Sequence, residues 1–219
     1  MAKIGVVLSG CGVFDGAEIH EATLTLFFLD RAGAEIVCMA PSVEQFDVVN
    51  HLGGESYSEK RNVLVEAARI ARGDIRDVKD VDAAMLDGLI FPGGFGAAKN
   101  LCNFAVKGPD CTVNPEIERL IKAAHKAKKP MGFLCIAPVI AAKVLGSFRP
   151  QITIGNDKDT AAALEKMGAR HVVSEVDGIV VDPDNLIVTT PAYMLGPSIA
   201  KVGLGIEKLV DEVMKLVGK

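Results

Sequence analysis

Along the chain, short runs of β-branched and other apolar residues alternate with longer stretches whose apolar positions recur every three or four residues. Lys3–Leu8, Glu35–Met39, Gly88–Phe91 and Met131–Leu134 are of the first kind and predict buried strands. Ala17–Ala32, Val63–Arg72, Pro115–Ala127 and Ala137–Leu145 are of the second kind and predict helices. Alternation of this sort builds βαβ units, so the expected fold class is α/β: a doubly wound, mostly parallel sheet with helices on both faces. Gly33, Pro41, Gly73, Pro92 and Pro130 fall where turns are needed. Asp15, with Glu18 three residues on, predicts a capping box at the first helix. Ile179–Asp182 and Asn185–Thr190 flank Pro183-Asp184 and predict a small C-terminal β-hairpin, followed by an amphipathic helix over Pro197–Val217. Without a repeat, a low-complexity tract or a linker, 1–219 reads as a single domain.

Composition narrows the classes of function. At 49% apolar and 24% charged residues, the chain can bury a core without staples. A net charge of −4 with no basic stripe argues against nucleic acid as a partner. The apolar runs are too short to span a bilayer, and Lys3 leads straight into a strand with no cleavage pattern, so no membrane partner and a cytoplasmic location are expected. The cysteines (Cys11, Cys38, Cys102, Cys111 and Cys135) are odd in number and include no CxxC pair, which argues against a disulfide framework. His20, His51, His125 and His171 are scattered without zinc-ligand spacing, so neither a metal nor another cofactor is expected.

In open parallel sheets ligands gather at the carboxyl ends of strands. Four segments lie there or nearby. Ser9–Gly16 is glycine-rich, yet three residues separate Gly12 from Gly16 where a dinucleotide loop has two, leaving a close turn as the simpler reading. Glu18 and Glu21 share a face of the first helix near the strand ends, where a solvated glutamate is the ordinary alternative. Phe91–Asn100 carries Gly93 and Gly94 between a strand and a helix, a source of backbone N–H groups for an oxyanion, or simply a tight turn. Lys129–Pro138 ends a strand in Cys135 and starts a helix at once, with Pro138 suited to its first turn. That is the layout of a nucleophile elbow, and a helix N-terminus under the sulfur lowers a thiol pKa. Phe133 is bulky for an elbow, and a packing cysteine remains the alternative.

Taken in order, Leu8–Gly16, Glu18–Glu21, Phe91–Leu101, Cys135–Pro138 and Val188–Met194 resemble the PfpI-type superfamily, relatives of the class I amidotransferase glutaminase domain. Within it they are most similar to the isoprenoid-biosynthesis amidotransferase-like (ElbB) type, over the length of the chain. The resemblance implies a flavodoxin-like sheet and a homodimer. It implies Cys135 as nucleophile, Glu21 as the acid beside it, and the N–H groups of Gly94 and Ile136 as oxyanion donors, with Gly93, Glu18 and Thr190 as neighbours. Arg61 resembles an arginine that relatives place near the site at the dimer interface.

Departures from the pattern matter as much. Ile136 stands where hydrolytic relatives carry histidine, and Thr190-Pro191-Ala192 where glutaminases carry His-x-Glu. Peptidase and glutaminase chemistry thereby lose their general base. A protonated Glu21 beside a Cys135 thiolate suits addition to a small reactive aldehyde, and related proteins are credited with turning glyoxal or methylglyoxal into glycolate or lactate without a cofactor. That glyoxalase is the leading expectation. The alternative is a redox-sensing or partner-binding protein linked to isoprenoid biosynthesis, with Cys135 as its oxidisable thiol and no turnover of its own.

Overall fold

The computed structural model describes residues 1–218. In chain order the elements are β1 (Lys3–Val7), α1 (Ile19–Arg31), β2 (Glu35–Ala40), α2 (Val63–Ile70), β3 (Arg76–Asp77), β4 (Gly88–Phe91), α3 (Phe95–Lys99) and α4 (Phe104–Lys107). There follow α5 (Pro115–Lys126), β5 (Met131–Leu134), α6 (Pro138–Leu145), β6 (Gln151–Ile152), α7 (Lys158–Lys166), β7 (Arg170–His171), β8 (Val180–Asp182), β9 (Ile187–Thr190) and α8 (Ile199–Val217). The main sheet runs β3-β2-β1-β4-β5-β9-β8, parallel except for β8, and β6-β7 form a small parallel pair beside it. This is the flavodoxin-like α/β fold.

Strand side chains alternate between two cores, as a sheet covered on both faces requires. Ile4 and Val6 face α1, α2 and α8, where Leu29, Ala67 and Ile206 are buried. Val7 faces the other way, onto the core built with Ile121 of α5 and Ile140 of α6. The hairpin forms between β8 and β9, and β9 also pairs in parallel with β5, so the hairpin completes the main sheet. That pairing sets Thr190 opposite Leu134, one residue before Cys135.

The start of the first helix differs from expectation. Glu18 is the N-cap, its side chain accepting from Glu21 N–H at 2.7 Å, and the helix begins at Ile19. Asp15 lies too far back to reach the helix amides, because Gly16 and Gly12 close a turn between them (Gly16 N–H to Gly12 O, 2.7 Å). The Asp15 carboxylate accepts from Val49 N–H instead, at 2.8 Å.

Candidate active site

β5 ends at Leu134, and Cys135 then takes φ +58°, a left-handed turn that aims the following chain into α6. An L-residue there costs about 1–2 kcal/mol, which the surrounding bonds offset. Cys135 N–H donates to Thr190 O at 3.0 Å, and Ala137 N–H to Leu134 O at 2.9 Å. The bulky Phe133 fits because its side chain joins the core under α5 and α6, its ring stacked on Phe91 at 4.7 Å.

Glu21 is fully buried on the first turn of α1. Its Oε2 accepts from Gly93 N–H at 2.9 Å and its Oε1 from Tyr193 N–H at 3.1 Å, and the Cys135 side chain lies beside the same carboxylate. The glycine pair is what lets these groups meet. A Cβ on Gly93 would sit 2.5 Å from Cys135 Cβ and 2.7 Å from Glu21 Oε2. Gly94 has φ +93°, and a Cβ there would lie 2.4 Å from both Glu18 N and Gly16 O. With the chain so placed, the backbone amides of Gly94 and Ile136 lie beside Cys135 on one cavity and favour its charged form.

Burial governs the electrostatics. It pushes Glu21 up to about 7, with the nearby Glu18 charge adding to the effect. It also pushes Cys135 well above the ordinary thiol range, and the Glu21 charge pushes the same way, while the Gly94 and Ile136 amides pull back without prevailing. This corrects the expectation of a thiol lowered by the helix end. At the resting pair the sulfur keeps its proton and Glu21 is the group that titrates near neutrality.

Cys135 opens onto a cavity of about 460 Å³. Its walls are apolar at Val13, Phe95, Phe104 and Met194, and carboxylates at Glu18 and Asp157 face it. Among the described residues that line it there is no lysine, arginine or histidine. Of the residues singled out from sequence, Cys135, Glu21, Gly93, Gly94, Ile136 and Glu18 come together. Thr190 contributes its carbonyl only, since its hydroxyl donates to Gly178 O at 2.8 Å. Arg61 stays away from the cavity, paired with Glu59 at 2.6 Å and Glu66 at 3.6 Å. His171 serves the small sheet, its Nε2 accepting from Ile154 N–H. Tyr193, inside the Val188–Met194 motif, also lines the cavity, and its hydroxyl is 2.8 Å from His20 Nδ1. Asp157 has no sequence signal beyond being the N-cap of α7. No His/Cys/Asp/Glu group able to hold a metal occurs among the described residues.

A cysteine on a strand-to-helix elbow beside a buried glutamate, on a flavodoxin-like sheet, defines a class that known proteins share. No family model matches the chain. It is 49% identical over 228 residues to the glutamine amidotransferase-like class 1 domain-containing protein 3, mitochondrial, of Homo sapiens, covering all of this chain and 84% of that protein. It is 36% identical to the mitochondrial ES1 protein of Danio rerio, covering 99% of this chain and 87% of that one. The crystal structure of an isoprenoid biosynthesis protein with amidotransferase-like domain from Ehrlichia chaffeensis superposes with a TM-score of 0.93 at 37% identity, over 99% of both chains. Glyoxalase III of Candida albicans shares the fold alone, with a TM-score of 0.61 at 15% identity over 98% of this chain and 97% of that one. The chain belongs to the glutamine amidotransferase-like class 1 (ES1) family.

Proposed function

We propose that this protein is a cofactor-free glyoxalase that converts glyoxal to glycolate, or methylglyoxal to lactate. The observation that carries the reading is the fully buried Glu21 carboxylate set beside the Cys135 elbow across Gly93, whose amide it accepts from at 2.9 Å. Glu21, ionised, takes the thiol proton as the sulfur adds to one aldehyde carbon, forming the C–S bond of a hemithioacetal. The Gly94 and Ile136 amides hold the oxygen that gains charge, worth about 3 kcal/mol of barrier. Glu21 passes the thiol proton to that oxygen and is ionised again; it then removes the hydrogen of the same carbon as a proton and returns it to the neighbouring carbon, while the hydroxyl proton of the first carbon moves to the second oxygen. The first carbon becomes a thioester carbonyl and the second an alcohol. Water cleaves the thioester, releases the hydroxy acid and restores the thiol, so no electrons leave the substrate.

The cavity favours an uncharged substrate. An amino acid such as glutamine would bring its carboxylate toward Glu18 and Asp157 with no cation to meet it. Hydrolysis of its amide would also lack a histidine to protonate the leaving ammonia. Homodimerisation belongs to the same proposal, because Arg61 lies off the cavity of its own chain and only a second copy could bring an arginine to the rim. A cytoplasmic location belongs to it too. No helix among the described residues is long and apolar enough to cross a membrane, and the relatives are named mitochondrial. The test is glycolate formation from glyoxal without glutathione, in wild type and Cys135→Ala. Turnover is expected in wild type alone, and equal rates would remove the reading.

A further inference from the structure

The isomerisation leaves one proton without a carrier. Once Glu21 has taken the hydrogen of the first carbon, it is occupied until the second carbon receives that proton. Over the same steps the second oxygen gains a hydrogen and the first loses one, so a further group has to serve the oxygens. Among the described residues that line the cavity, Glu18 and Asp157 are carboxylates and repel the charge that an oxygen gains. Besides the Cys135 thiol, the side chains there with a hydrogen to give are Tyr193 and Thr160. An aliphatic alcohol holds its hydrogen too tightly to exchange it, whereas a phenol can.

Tyr193 is fixed at both ends. Its N–H donates to Glu21 Oε1 at 3.1 Å, which ties it to the group that serves the carbons. Its hydroxyl oxygen lies 2.8 Å from His20 Nδ1. The same Nδ1 is 4.0 Å from Glu18 Oε1, and Glu18 lines the cavity with Cys135, which places the phenol oxygen at the cavity rim. A carboxylate on that side favours the imidazole tautomer with its hydrogen on Nδ1. His20 then donates to the phenol oxygen, and the Tyr193 O–H is left to turn into the cavity.

We propose that Tyr193 is a catalytic residue that carries the proton between the two substrate oxygens, and that His20 is the positioning residue that aims it. The inference rests on the glyoxalase reading. As Glu21 removes the hydrogen of the first carbon, the C–H electron pair moves into the carbon–carbon bond and the second carbonyl opens onto its oxygen. The Tyr193 O–H bond breaks and its hydrogen passes to that oxygen. When Glu21 gives its proton to the second carbon, the hydroxyl of the first carbon gives its hydrogen to the phenolate and becomes the thioester carbonyl. Tyr193 ends as it began, and its transient negative charge is met by the His20 N–H.

Steady-state turnover of glyoxal in wild type, Tyr193→Phe, His20→Ala and His20→Asn tests this, each beside a thermal melt. Tyr193→Phe keeps the backbone N–H that holds Glu21, so it should keep the wild-type melting point and KM while kcat falls about 100-fold. His20 is exposed on the first turn of α1, so its replacement disturbs no core. His20→Ala should lose about 10-fold in kcat, the worth of one hydrogen bond. His20→Asn, whose amide N–H stands where Nδ1 was, should recover most of that loss. Should Tyr193→Phe melt early, the His20 pair decides. Wild-type kcat in Tyr193→Phe, or equal rates in the two His20 variants, would overturn the inference and leave the glyoxalase standing. Wild type without turnover would overturn both.

Discussion

Glu21 is a carboxyl that folding makes harder to ionise. Its ordinary value is 4.5 and burial raises it to about 7 in the folded chain, so the folded state holds its proton longer than the unfolded one. The stability that this proton confers is full below about 4.5 and is lost as pH rises through about 7. At 1.36 kcal/mol per unit, the buried charge costs up to about 3 kcal/mol above neutrality. Glu21→Gln stays neutral throughout, so its stability relative to wild type should improve between about pH 5 and pH 8. Urea unfolding at both pH values measures this, and a constant difference would count against the raised value. Gly93 makes the complementary point about space. Gly93→Ala puts a methyl against both Cys135 and Glu21, and turnover should fall about 100-fold through misplacement of the pair. Steady-state kinetics beside a thermal melt separates that loss from simple unfolding.

At the scale of elements, the strands that form the centre of the sheet were legible because they are uninterrupted apolar runs, and the long helices because each buries a regular stripe. α7 was not legible: Leu164 is its one buried residue, so it carries no periodic signal. β3, β6 and β7 are two residues long and give pattern nothing to work on. Asp15 and Glu18 have capping spacing, but the turn through Gly16 leaves Glu18 as the one that caps α1. The hairpin was legible from Pro183-Asp184, but its turn is held by Asp182. That carboxylate accepts from Gln151 N–H and Asn185 Nδ2 at 2.8 Å, and from Asp184 and Asn185 N–H at 3.1 Å. Asp182→Ala strands several of these donors and should cost about 3 kcal/mol in urea unfolding. Since β9 passes Thr190 O to the Cys135 amide, a loss confined to stability would show that the elbow holds without the turn.

Across the whole molecule, the candidate site is a meeting of distant segments, and that is why only part of it could be read from sequence. Cys135 and the glycine pair announce themselves locally. The partnership of Glu21 with Tyr193 joins residues far apart in the chain through a backbone amide, which no spacing reveals. The direction of the Cys135 shift likewise depends on total burial, and the local helix end pointed the other way. A homodimer predicts a sedimenting mass twice the 23.1 kDa of the chain, and a monomer at assay concentration would leave Arg61 with no route to the site. The proposed chemistry needs Glu21 to accept and return protons beside Cys135. Its most direct test is the rate of glycolate formation from glyoxal between about pH 5 and pH 9, for wild type and Glu21→Gln. The wild-type rate should rise through about 7, as Glu21 ionises, and the variant should lose that limb and about 100-fold or more in rate. A flat wild-type profile, or a variant that matches wild type, would contradict it.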